Sequence, residues 1–177
     1  KIDADKTEFV GYTDFDCDAK ILAIVNNDGE LVDMLGAGES GTVVLDKTPF
    51  YAQSGGQVGD SGVIKNGEDN AFIVADTAKN ADTIYLHKGE VSRGIISVGD
   101  SVFASINGER RKSIMRNHTA AHLLQAALRQ VLGTHVEQAG QLVNETEVRF
   151  DFTHFNPMTA REIAEVEMLV NKFILSA

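Results

Sequence analysis

The 177 residues are 43% hydrophobic and 24% charged, with a formal net charge of −10 at pH 7. That is chain enough for one sizeable core or two small ones, while the acidity argues against a general nucleic-acid binder. No run of about 18 apolar residues is present to span a membrane, and no charged-then-apolar leader opens the chain.

The first residue is Lys1 rather than Met, as expected of an excised piece of a longer protein. The single cysteine, Cys17, rules out an intrachain disulfide and fits a reducing compartment, so a cytoplasmic location is expected. Cys17 stands among Asp14, Asp16 and Asp18, whose charge raises a thiol pKa rather than activating the thiol. Residues 1–106 then read as short strands with frequent turns. Ile21 to Val25 and Leu31 to Leu35 flank the hairpin signal Asn26-Asn27-Asp28-Gly29-Glu30. Thr42 to Leu45, Gly62 to Lys65, Ala71 to Ala75, Thr83 to His87 and Ser101 to Ile106 are similar, with a turn at Asn66-Gly67. Many short strands with glycine-rich turns predict a small antiparallel barrel or sandwich.

Between two of these strands lies Thr48-Pro49-Phe50-Tyr51-Ala52-Gln53-Ser54-Gly55-Gly56-Gln57-Val58-Gly59-Asp60-Ser61-Gly62. Paired glycines admit positive φ and let the backbone approach a ligand closely. The stretch lacks the Gly-Lys-Ser/Thr end of a phosphate-binding P-loop. A tight barrel loop would also account for it.

From about Glu109 the apolar period changes to that of a helix. Ile114, Ala121, Leu124, Leu128 and Val131 recur on one face, and Gly133 ends the run. The first 100 residues hold 8 Lys+Arg against 18 Asp+Glu, whereas the rest is neutral. Arg110, Arg111, Lys112 and Arg116 form a local basic group, which on charge alone fits a solvated helix face. His118 and His122 stand four apart, so both imidazoles can address one metal ion. The same spacing fits two histidines that only pack or hydrogen-bond, and zinc usually takes at least three protein ligands. His135 and His154 are further candidates, each also accounted for structurally.

Gln138-Ala139-Gly140-Gln141-Leu142-Val143 suits either a loop beside a site or a turn into a strand, and Glu147 to Phe152 reads as a strand. Thr159-Ala160-Arg161-Glu162 is a capping box. The helix behind it carries one apolar stripe, Ile163, Val166, Leu169, Val170, Phe173 and Ile174, still running near Ala177. The expected class is therefore α+β: a barrel over 1–106, then an α/β unit over 107–177 that continues past the chain's end. The apolar stripe makes self-association plausible.

Three stretches in this order resemble alanyl-tRNA synthetases. They are Phe50-Tyr51-Ala52-Gln53-Ser54-Gly55-Gly56-Gln57-Val58-Gly59-Asp60, then Arg116-Asn117-His118-Thr119-Ala120-Ala121-His122-Leu123-Leu124, then Arg149-Phe150-Asp151-Phe152-Thr153-His154-Phe155. The resemblance implies a linker barrel followed by the first part of an editing domain, which hydrolyses seryl- or glycyl-tRNA made for alanine. It implies zinc held by a His-x-x-x-His pair, here His118 and His122, with a Cys-x-x-x-His pair much later in the chain. Cys17 lies upstream and has no histidine four residues on, so this sequence holds half of that site. ATP and Mg belong to an aminoacylation domain that would precede Lys1.

By the same resemblance Gln138 matches a glutamine of the editing pocket. The Gly55-Gly56 loop would offer backbone donors and Gln138 or Gln57 a neutral contact. Arg110, Arg111, Lys112 and Arg116 would meet phosphates of the tRNA(Ala) acceptor end, and the remainder of the synthetase would be the other partner. Gln53 stands where glutamate is common, Ala121 where threonine is, and Gln141 where serine is, which bears on amino-acid specificity. The resulting expectation is part of an alanine–tRNA ligase, weak or inactive by itself. The alternatives are a free-standing trans-editing hydrolase and a non-catalytic tRNA-binding module.

Overall fold

In the computed structural model of the chain, residues 6–80 and 83–176 are described. Lys1 and Ala177, on which the expectation of an excised piece rests, lie outside them. The order is β1 (Glu8–Phe9), β2 (Asp16–Asn26), β3 (Leu31–Val32), β4 (Met34–Gly36), β5 (Ser40–Leu45), β6 (Lys47–Thr48), β7 (Gly62–Asn66), β8 (Asn70–Asn80), β9 (Ile84–Arg93), β10 (Ile95–Ser97), β11 (Ser101–Ile106), α1 (Gly108–Leu132), β12 (Gln138–Val143), β13 (Val148–Phe152) and α2 (Ala160–Leu175). The chain divides into two compact units, and the division falls inside α1 after Arg111; residues Gly55–Gln57 group with the second unit.

The first unit is the expected barrel. Strands β11, β7, β8, β9, β5 and β2 pair in that order, all antiparallel, and β2 returns to β11 to close the ring. β3 adds to β2 at Ile24↔Val32, outside the ring. Ile21, Ile24, Val43, Leu45, Phe50, Ile64, Phe72, Val74 and Val91 fill the interior. β2 and β8 run 11 residues each, well beyond the apolar segments that announce them. The extra residues have partners of their own: Asp16–Lys20 of β2 pair with β11, and Asp76–Asn80 of β8 pair with β9 beyond a register shift at Val74/Asp76. A bulge resets the in–out alternation, so the polar second half of β8 still turns Thr77 inward, where its hydroxyl donates to the Asp60 carbonyl at 3.0 Å. Cys17, on β2, has its thiol pKa raised to about 11, by burial first, with Asp18, Asp46 and Asp14 adding and Lys47 opposing.

The barrel is locked by one buried ion pair. Arg111 is 6% exposed and Asp60 2%. Arg111 Nε donates to Asp60 Oδ1 and Oδ2 at 3.0 and 2.9 Å, and Nη2 donates to Oδ2 as well. Nη1 reaches the Gly11 carbonyl at 2.7 Å and Nη2 the Pro49 carbonyl at 3.0 Å. The expectation that Arg111 meets tRNA phosphates is corrected here: its fork is enclosed and committed to three segments of the barrel.

The second unit packs α1, the β12–β13 hairpin and α2 around Ala127, Leu128, Val136 and Val166, with Phe150, Phe152, Leu169, Val170 and Phe173. Asn107 caps α1, its Oδ1 accepting from Arg110 N–H at 3.0 Å. Gly133 ends it with φ +119. The capping box of α2 is formed as read, with Thr159 Oγ1 accepting from Glu162 N–H and Glu162 Oε2 accepting from Thr159 N–H. Of the apolar stripe on α2, Val166, Leu169, Val170 and Phe173 join the core, whereas Ile163 and Ile174 are exposed. No helix among the described residues is long and apolar enough to cross a membrane.

Candidate functional site

His118 and His122 lie one turn apart on α1, with ring centroids 4.9 Å apart and planes at 33°. His118 is half-buried and His122 exposed. Burial lowers the His118 pKa, and His122 beside it lowers it further. Both effects favour the neutral imidazole, the form a metal takes. The pair thus fits two places of a zinc shell. Among the described residues no group of three or more His, Cys, Asp and Glu side chains gathers. His135 and His154 do not join them; they bond to each other, Nε2 to Nδ1, at 2.9 Å.

The glycine-rich loop reaches this unit through β12. Gly55 and Gly56 take φ +57 and +84, as their pairing predicts. The Gly55 carbonyl accepts from Gln141 Nε2 at 2.6 Å, and the Gly56 carbonyl accepts from Val143 N–H at 2.8 Å. Gln57 then forms a parallel bridge to Val143 and is 7% exposed. On α1, Asn117 Nδ2 donates to the Asn144 carbonyl at 2.8 Å, and Asn144 Oδ1 in turn caps the hairpin turn at Thr146 and Glu147. The loop and the residue before His118 are therefore both fastened to the Val143–Asn144 end of β12.

A side chain at 56 would run into the Gln141 carbonyl oxygen, whereas one at 55 meets nothing within 4 Å. Gly55→Ala should cost about 1 kcal/mol, for its left-handed backbone alone. Gly56→Ala should cost about 2 kcal/mol and shift the loop. Urea unfolding of the two variants checks the order; equal costs would mean that the Gln141 contact is soft.

Gln138 is not brought to this end. It opens β12 opposite Phe152 and is exposed. A strand rises about 3.3 Å per residue, which sets Gln138 about 10 Å along β12 from Gln141. Gln57, being enclosed, anchors the loop. Arg110 belongs to the first unit and donates from Nη1 to the Gly59 carbonyl at 2.8 Å. Lys112 and Arg116 belong to the second, both exposed, with Arg116 Nη2 on Ser113 Oγ at 2.8 Å. Sequence reading missed Asn117, Gln141 and Asn144 as fasteners; Gln141 was marked only by standing where serine is common.

The tRNA synthetases class II (A) family matches residues 2–110. The alanine–tRNA ligase of Acetivibrio thermocellus is 51% identical over 172 residues, which are 97% of this chain and 19% of that protein. That of Neisseria meningitidis serogroup C is 51% identical over 174 residues, 98% of this chain and 20% of its own length. That of Thermoanaerobacter sp. is 46% identical over 169 residues, 96% and 19%. The chain spans about a fifth of the length of the curated relatives it matches.

Proposed function

We propose, from the premise that the chain belongs to the class II (A) tRNA synthetase family and corresponds to part of its alanine–tRNA ligases, that its second unit supplies half of an ester-hydrolysing site for wrongly charged tRNA(Ala). One observation carries the reading: Gly55–Gln57 leave the barrel's unit and fasten to the unit that bears His118 and His122. A connector with no other task has no reason to make that excursion.

In this reading His118 and His122 hold two places of a zinc ion, completed by ligands from a further part of the ligase. Zinc would polarise the ester or orient the terminal ribose. The chain's own residues do the rest. The Gly55 and Gly56 N–H groups face the developing oxyanion. Gln141 and the buried Gln57 hold that loop in shape. Gln138, about 10 Å along β12 from Gln141, offers its neutral amide to the nucleotide part of the charged 3′ end. Lys112 and Arg116 meet backbone phosphates. ATP and Mg serve the aminoacylation site elsewhere in the ligase, and the setting is cytoplasmic.

Seryl-tRNA(Ala) deacylation by the full ligase should be abolished by His118→Ala and by His122→Ala, with alanine charging kept. Filter binding across salt concentration distinguishes the rivals. A ligase whose deacylation survives both changes holds no zinc-dependent site here, and tRNA affinity without hydrolysis would make the chain a binding module. No affinity even at low salt would remove the phosphate contacts.

A further inference from the structure

The hydrolysis reading uses one histidine pair and leaves another unexplained. His135 precedes β12 and His154 follows β13; their ring centroids are 5.2 Å apart with planes at 21°. Phe155 stacks on the same His135 ring at 5.1 Å and 27°. Phe155 is nonetheless 85% exposed. Thr153 steadies the group, its Oγ1 accepting from Glu137 N–H at 3.2 Å. These four residues, His135, Thr153, His154 and Phe155, line a cavity of about 220 Å³.

Three near-parallel rings around a cavity, one of them bare to solvent, make a surface for a flat π-system. A metal is the poorer fit. The imidazole nitrogens are 2.9 Å apart, hydrogen-bond distance, with one proton between them. No carboxylate or thiol completes a set of three among the described residues. An aliphatic side chain would leave the polar Thr153 and imidazole edges facing apolar groups.

The position is specific. Thr153 N–H donates to the Glu137 carbonyl at 3.0 Å, one rung beyond the Gln138↔Phe152 pair. The ring cluster thus adjoins Gln138, at the end of β12 away from the glycine loop. We propose that His135, His154 and Phe155 form a stacking seat for one unpaired nucleobase of the RNA, an inference that rests on the tRNA reading above.

The probe is a short single-stranded RNA carrying 2-aminopurine, whose fluorescence falls when the base stacks. The 177-residue chain should bind and quench it. Phe155→Leu should weaken binding by about 5- to 100-fold, the loss of one base–aromatic stack, and Phe155→Tyr should restore it. Phe155→Leu should leave thermal unfolding unchanged. Binding by Phe155→Leu equal to that of the unmodified chain would overturn the seat. Deacylation by the ligase with no quenching by the chain overturns the seat alone. Quenching by the chain, with no deacylation by the unmodified ligase, supports the seat and overturns the hydrolysis reading.

Discussion

Arg111→Met should cost the barrel about 3–5 kcal/mol of unfolding free energy, the loss typical of breaking a buried ion pair on one side. The Asp60 carboxylate would stay enclosed, with the Tyr51 N–H still donating to it at 2.8 Å. The Gly11 and Pro49 carbonyls would each lose a donor. Arg111→Lys should recover little, because a single ammonium cannot span the carboxylate and two carbonyls that the planar fork reaches. Asp60→Asn should destabilise in the same direction, and Arg111→Met with Asp60→Leu should cost less than the sum of the single changes. Urea unfolding followed by tyrosine fluorescence measures all four, since the chain has three tyrosines and no tryptophan. A loss below about 1 kcal/mol for Arg111→Met would sink the idea of a lock.

Barrel stability should also fall by about 3 kcal/mol as pH drops from about 6.5 to about 4. The cause is His87, wholly buried on β9. Burial lowers its pKa from 6.5 to about 4, with the hydrogen bond to the Val43 carbonyl opposing. Nδ1 donates to Val43 O at 2.8 Å, so Nε2 accepts from the Thr48 hydroxyl at 2.7 Å, and Phe50 stands edge-on to the ring. The sign follows from proton uptake. Above pH 6.5 both states hold His87 neutral and it adds no pH dependence. Between 6.5 and 4 the unfolded chain binds a proton that the folded barrel refuses, so stability declines with falling pH. Below 4 both are protonated and the loss is complete. His87→Gln should remove this slope while lowering stability at neutral pH. An unchanged slope in that variant would assign the acid sensitivity to other groups.

The barrel was legible because its strands carry β-branched runs separated by Asn-Gly and Asp-Gly turns. Lengths were not, since β2 continues through exposed polar residues that pair with β11, and β8 continues past a bulge that turns the polar Thr77 inward. The short β1, β6 and β10 carry too few residues for any periodic signal. The helices were placed closely, because Gly133 and the Thr159–Glu162 box are chemical end marks. At the site, the histidine pair and the positive φ of Gly55 and Gly56 follow from local sequence. Which partners they meet does not. That Gln141 holds the loop, and that Gln138 sits a strand's length away, depends on the hairpin register. Arg111 shows the same limit: four cations on one helix start look alike in sequence, and only tertiary contacts with Asp60, Gly11 and Pro49 separate the buried one.

Closure of the ring has a kinetic meaning. The seam pairs Lys20 with Ser101 and Asp16 with Ser105. Joining ends so far apart adds little to the equilibrium cost, about 0.6 kcal/mol per doubling of the loop. It does slow the search, because pairings distant in sequence form late. During synthesis the free edge of β2 must wait, unpaired, until β11 leaves the ribosome, and such an edge is open to wrong partners. Arg111 comes five residues after β11 ends, and its three anchors were made long before it. The first unit therefore keeps its lock in its own last residue to arrive, when the seam is already in place to be fastened.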